Sequence, residues 1–157
     1  MFGLMGKILR VDLTEGKILE EDIPEEMAQK FLGGRGLAAK YLFDEVNPDI
    51  DPFDPGNRLI FMSGLLTGTA SPSAGRYSVV TKSPLTKIWC QSNSGGRWGV
   101  DLKHSGFDGI IFKGISNHPV YLIIDNGKAE LRDATHLWGK NVSEVTHIIK
   151  KLSLIHI

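Results

Sequence analysis

Two stretches of small side chains, Thr67 to Arg76 and Ser92 to Arg97, each combine exposed backbone with an arginine. Backbone without bulky side chains admits a flat or anionic ligand to close range. Its N–H groups can point at phosphate, and a helix that follows adds favourable dipole potential. Arg76 and Arg97 would supply delocalised positive charge with forked donors suited to phosphate or carboxylate. The plainer reading is two ordinary glycine-rich turns with solvated arginines, and composition does not decide between them. Neither loop is a Walker A sequence, and neither fits Gly-x-Gly-x-x-Gly. A third glycine cluster, Gly33-Gly34-Arg35-Gly36, is explained well enough by a break between two helices.

Other chemistry is thinner. The five histidines show no i, i+4 pairing and no neighbouring cysteine cluster, so they do not form a metal site by themselves. Cys90 lies in the apolar run KIWCQ with no base beside it, which predicts a half-buried, unreactive thiol. Trp98 follows the second loop; it either packs in the core or walls a cofactor pocket. Ser71 and Ser73 lack the Gly-x-Ser-x-Gly elbow. No residue is assigned a catalytic role.

The elements that must position these loops follow from periodicity. Lys7 to Leu13 alternates apolar and polar residues, turns at Thr14-Glu15-Gly16 and returns over Lys17 to Ile23, a β-hairpin. Pro24-Glu25-Glu26 opens a helix carrying Met27, Ala28, Phe31 and Leu32 on one face. After the glycine break, Leu37, Tyr41, Leu42 and Val46 resume the helical period up to Asn47-Pro48. Strands are expected at 58–63, 77–81, 88–92, 109–113 and 120–125, and Asn126-Gly127 turns the chain into a further strand at 128–133. A helix leads from the second loop to about Lys103, ended by Gly106. Another spans 142–152, with Val142, Val145, Ile148, Ile149 and Leu152 at helical spacing. The segment Gly64 to Gly75 is too poor in large apolar residues to be anything but a loop. The fold class is mixed α+β, with hairpin-rich sheets and a few helices packed on them.

A chain of 157 residues with 18 basic and 18 acidic side chains suits one globular domain. Zero net charge excludes a globally basic nucleic-acid binder. No apolar run approaches the ~20 residues of a membrane span, and no secretory signal is visible, so the expected location is cytoplasmic and a membrane partner is not expected.

Several segments carry a resemblance: GKILRVDL, FLGGRGLAAKYL, SGLLTGTASPSAGRYSVVTKSPLT and QSNSGGRWGVDLKHSGFDGIIFKG. Together they resemble the N-terminal domain of aldehyde ferredoxin oxidoreductases, from Met1 to about Leu152. The resemblance implies oxidation of an aldehyde to the carboxylic acid. Two electrons would pass through a bis-pterin centre of tungsten, or of molybdenum, and a [4Fe-4S] cluster to ferredoxin. It implies that this domain is part of the surface on which the pterins rest. Arg76 matches the arginine that bridges a pterin and the cluster, and Gly75 the glycine beside it. Asn93 matches the residue whose main-chain carbonyl helps hold magnesium between the pterin phosphates, and Ser94, Gly95 and Gly96 match the adjoining stretch at the pterin.

The chain departs from that pattern in lacking the cluster cysteines; Cys90 matches none of them. The second, glycine-rich half of the pterin surface is also missing, and residues 153–157, SLIHI, no longer resemble the family. The expectation is therefore an N-terminal fragment, residues 1–152 plus a non-family tail, inactive alone, binding no cofactor alone and completed by the remaining domains of the enzyme. Surfaces meant for those domains would be exposed, which favours a homo-oligomer. The alternative is a stand-alone, non-catalytic module that binds a pterin or another phosphorylated ligand or docks to a cluster-bearing subunit.

Overall fold

A computed structural model describes residues 3–152; the tail expected at 153–157 lies outside the described residues. Strands β1 (Lys7–Asp12) and β2 (Lys17–Asp22) form the expected hairpin, followed by α1 (Glu25–Phe31), α2 (Gly34–Glu45), β3 (Leu59–Ser63), β4 (Tyr77–Lys82) and β5 (Trp89–Ser94). Then come α3 (Trp98–His104), β6 (Gly109–Lys113), β7 (Val120–Asp125), β8 (Lys128–Asp133), a single 3-10 turn at Thr135–Leu137 and α4 (Val142–Leu152). The mixed α+β class is as the sequence predicts.

Six strands form one sheet in the order β2-β1-β6-β3-β4-β5, while β7 and β8 pair separately. Every neighbouring pair in the large sheet is antiparallel except β1 with β6, which run parallel with Ile8 opposite Gly109. Alternation along the strands sends side chains to two apolar layers. Ile8, Ile60, Met62, Val80 and Ile111 face Leu37, Ala38, Tyr41 and Leu42 of α2. The i, i+1, i+4, i+5 spacing of those four puts them in one stripe of the helix. Leu9, Val11 and Ile110 point the other way, where they meet Leu102 of α3, Phe107 and the apolar side chains of the β7–β8 hairpin.

The break between α1 and α2 is narrower than the glycines suggest. Leu32 takes φ +63°, α2 begins at Gly34, and a Cβ on Gly36 would stand 2.4 Å from the Phe31 carbonyl oxygen. The elbow closes only because Gly36 has no side chain. Gly34, Arg35 and Gly36 thus form the first turn of α2 rather than a linker.

β5 is an edge strand and departs from expectation at both ends. It extends through Asn93 and Ser94, which the sequence assigns to the loop. Cys90, expected half-buried, is exposed on this edge strand, which has no strand neighbour beyond it among the described residues. Trp98 packs on Tyr77 and Phe61, with ring centroids 4.4 and 5.4 Å apart, so it belongs to an aromatic cluster on the α3 side of the sheet. No helix among the described residues is long and apolar enough to cross a membrane.

Candidate functional site

β3 and β5 run in one direction and β4 in the other. The end of β3, the start of β4 and the end of β5 therefore share one end of the sheet, and the two small-residue loops emerge there side by side. A Cβ on Gly75 would stand 3.1 Å from the Gly96 carbonyl oxygen, so the two loops touch backbone to backbone. The start of α2 joins them: a Cβ on Gly33 would lie 3.1 Å from the Leu65 nitrogen, and one on Gly34 would lie 3.8 Å from the Gly64 Cα. All three glycine clusters of the sequence meet at one place.

The backbone of Arg76 is held firmly. Its carbonyl accepts from the Gly64 N–H at 3.3 Å and from the Thr67 hydroxyl at 2.9 Å, and Thr67 is itself buried. Its guanidinium is exposed and makes no hydrogen bond or ion pair among the described residues. Arg97 differs: it sits at the start of α3 and leans on Asp101, 3.4 Å away, with both side chains well exposed. Such a pair is worth little energetically, yet it draws Arg97 away from the free role of Arg76.

Asn93 is oriented by strand register. The Ser83 N–H donates to the Ile88 carbonyl at 2.9 Å, which makes Ser83 and Ile88 a hydrogen-bonded pair. Pairing alternates along an antiparallel ladder. Ser94–Tyr77 is then a bonded pair, whereas Asn93, opposite Ser78, directs its N–H and C=O off the sheet edge. The Asn93 side chain is already engaged, its Oδ1 accepting from Ser78 Oγ at 2.9 Å and from Gln91 Nε2 at 3.1 Å. Its main-chain carbonyl is left as an outward oxygen donor, the kind a hard cation takes.

Gly95 and Gly96 complete the surface. A Cβ at either would meet nothing within 4 Å, and Gly96, at φ +91°, turns the chain from β5 toward α3. The result is an open patch of backbone flanked by the unpaired guanidinium of Arg76. That geometry fits a planar, phosphate-bearing pterin and one oxygen-liganded cation. An iron–sulfur cluster does not fit: among the described residues no three His, Cys, Asp or Glu side chains gather, and the one thiol is exposed on β5.

Beneath the patch lies a buried charge pair. Lys103 Nζ is 3.2 Å from Asp108 Oδ1, with side-chain exposures of 4% and 0%. The ammonium donates to the carbonyls of Gly3 and Leu65, the latter at 3.1 Å. Asp108 Oδ2 accepts from the Gly6 N–H at 2.7 Å. Oδ1 has no directed hydrogen bond and meets the ammonium by charge alone.

Sequence reading finds Gly75, Arg76, Asn93, Ser94, Gly95 and Gly96, and the structure gathers all six. It sets aside Gly33-Gly34, which the fold brings into the same patch, and overlooks Thr67, Ser78 and Lys103 as supports. For Lys103 no local signal exists, since a lysine near a helix C-terminus ordinarily faces solvent.

The family model described as "Aldehyde ferredoxin oxidoreductase, N-terminal domain" matches residues 8–155. The tungsten-containing aldehyde ferredoxin oxidoreductases of Pyrococcus abyssi and Pyrococcus horikoshii are each 52% identical over 151 residues, 96% of this chain and 25% of theirs. Among solved structures, the active site complex of benzoyl coenzyme A reductase with 1,5-dienoyl-CoA superposes with a TM-score of 0.94 at 46% identity, over 96% of this chain and 23% of that one. The chain spans about a quarter of the length of the curated relatives it matches, and it belongs to the aldehyde ferredoxin oxidoreductase N-terminal domain family.

Proposed function

We propose that this chain is the pterin-bearing N-terminal domain of a tungsten-dependent oxidoreductase that converts aldehydes to carboxylic acids with ferredoxin as electron acceptor. The observation that carries this reading is the meeting of three glycine clusters around the free guanidinium of Arg76 and the outward carbonyl of Asn93. Bound there, the metal–pterin group supplies the two-electron chemistry, and the protein supplies binding, orientation and electrostatics. Arg76 would neutralise phosphate or pterin oxygen charge next to a cluster held by the later domains. Asn93 gives its main-chain oxygen to magnesium. Ser94, Gly95, Gly96 and Gly75 keep the backbone within reach of the flat ring system.

The domain is shared more widely than any one substrate. A relative named for benzoyl coenzyme A reductase has nearly the same fold at 46% identity, so the fold of this domain does not by itself choose the substrate. The aldehyde assignment rests on the higher identity to the aldehyde enzymes. The substrate pocket and cluster ligands belong to polypeptide beyond this domain, and the domain alone is inactive. The test is Arg76→Ala in the full-length protein: pterin and tungsten per chain fall, and the spectrum of the cluster changes. Unaltered loading and spectrum would sink the assignment.

A further inference from the structure

We propose that the buried Lys103–Asp108 pair is the positioning device of the pterin-bearing loop, setting where Arg76 stands. This rests on the reading of the patch as a pterin surface.

The path from the pair to Arg76 is continuous. Lys103 Nζ holds the Leu65 carbonyl at 3.1 Å. Leu65 sits between Gly64 and Thr67, and both of these bond the Arg76 carbonyl. The loop also lies directly on the lysine stem, since a Cβ on Gly68 would stand 3.5 Å from Lys103 Cβ. At the other end Asp108 clamps the exit of β3: its main-chain oxygen accepts from the Ser63 N–H at 2.8 Å and from Ser63 Oγ at 2.6 Å. One pair of charges thus ties α3, the start of β6, the N-terminal segment and the loop 64–76 to each other.

An ion pair this deeply buried is a poor means of stabilising a fold, because desolvation offsets the attraction and well-packed apolar residues do as well or better. Apolar residues cannot donate to the Gly3 and Leu65 carbonyls at once. The structure offers Leu65 and Gly3 no other side-chain donor among the described residues. The lysine is kept for what its ammonium holds, and the carboxylate is kept to hold the ammonium there. Lys103 and Asp108 touch no cofactor; they act through the loop and are positioning residues.

Removing one charge strands the other in the interior, so the single variant Lys103→Met is paired with Lys103→Met/Asp108→Leu, which removes both. Both are made in the full-length protein. The readouts are melting temperature, pterin and tungsten per chain, and hydrogen exchange of the amides of 64–69. The double variant is expected to melt close to the unmodified protein. Its loop amides should nonetheless exchange about tenfold faster, and it should carry about threefold less pterin. A double variant that melts normally and keeps its full pterin and slow exchange overturns the proposal. So does one that fails to fold, since the pair would then hold the domain and not the loop. Arg76→Ala separates the layers. If it lowers pterin content and the double variant does not, only the positioning role falls. If it too leaves loading unchanged, the pterin surface falls and the positioning role with it.

Discussion

Gly75 and Gly96 meet backbone to backbone: a methyl on Gly75 would sit 3.1 Å from the Gly96 carbonyl oxygen. Contact at this distance is tighter than ordinary packing, so neighbouring backbone must give way to any added carbon. Gly75→Val is expected to spread the two loops and lower cofactor content while leaving the melting temperature within about 2 °C, since no core contact is lost. Gly96→Ala should cost about 1 kcal/mol of stability, because at φ +91° an L side chain is strained even where space is free. Pterin assay and thermal melts check both.

Thr67→Val keeps the shape of a buried side chain and removes its hydroxyl. The Arg76 carbonyl loses one of two donors and keeps the Gly64 N–H. The expected loss is about 1 kcal/mol, read by denaturant titration. A loss near zero would mean that the hydroxyl does not tether Arg76.

Gly109 lies in the middle of the sheet, where a Cβ would stand 2.6 Å from Met62 Sδ and 2.7 Å from the Phe61 carbonyl oxygen. Gly109→Ala should destabilise by about 1–3 kcal/mol through overpacking. Adding Met62→Ala relieves the sulfur contact but not the carbonyl, so the double variant should not recover the original stability. Full recovery would show that the flexible methionine was the whole obstacle.

Tyr41 supplies a pH test. Burial pushes its phenol above the ordinary tyrosine range, and the charge of Glu21 adds to this, although the Arg10 guanidinium 5.2 Å from the ring centre works against it. A group whose pKa is raised on folding contributes stability fully below its unfolded value and loses it as pH rises toward the folded one. The protein should lose stability above about pH 10, and Tyr41→Phe should flatten that loss. Phenolate absorbance assigned to Tyr41 by difference from the variant should appear only with unfolding.

The isolated domain exposes Phe43 and Leu85 to 85% and 91%, with Ile88 and Trp89 beside them. Phe43 lines, with Ile88, Trp89, Leu42 and Val46, an apolar groove of about 940 Å³. Patches of this kind drive association. Sedimentation of the 157-residue chain should show oligomers, and Phe43→Glu with Ile88→Lys should shift the distribution toward monomer.

Most strands and helices were legible because their apolar residues gather in short runs bounded by turns, as in Ile8 to Val11, where both faces of the strand are buried, or along one helical stripe, as in Leu37 to Leu42. The patch was legible in composition, since small residues gathered beside arginines are unusual in a core element. Cys90 misled because an apolar run such as KIWCQ reads as covered, while coverage depends on sheet order. Asn93 could be matched by resemblance, but the outward aim of its carbonyl required the register of β5 on β4. The Lys103–Asp108 contact was illegible, because two charges near a helix end look solvated until the loop that roofs them is known.

The parallel pairing of β1 with β6 has a consequence for how the domain is born. Ile8 cannot find Gly109 until about a hundred further residues have left the ribosome, a delay of about 5–20 s at ordinary elongation rates. During that interval the first hairpin has no neighbour on its inner edge, and a lone hairpin is marginal in water. Residues 109–113 are thus a late key: as they slot between β1 and β3, the two halves of the sheet become one body in a single step. A nascent chain halted before residue 109 should remain protease-sensitive throughout, and one halted with residue 113 clear of the exit tunnel should acquire protection in β1 and β3 together.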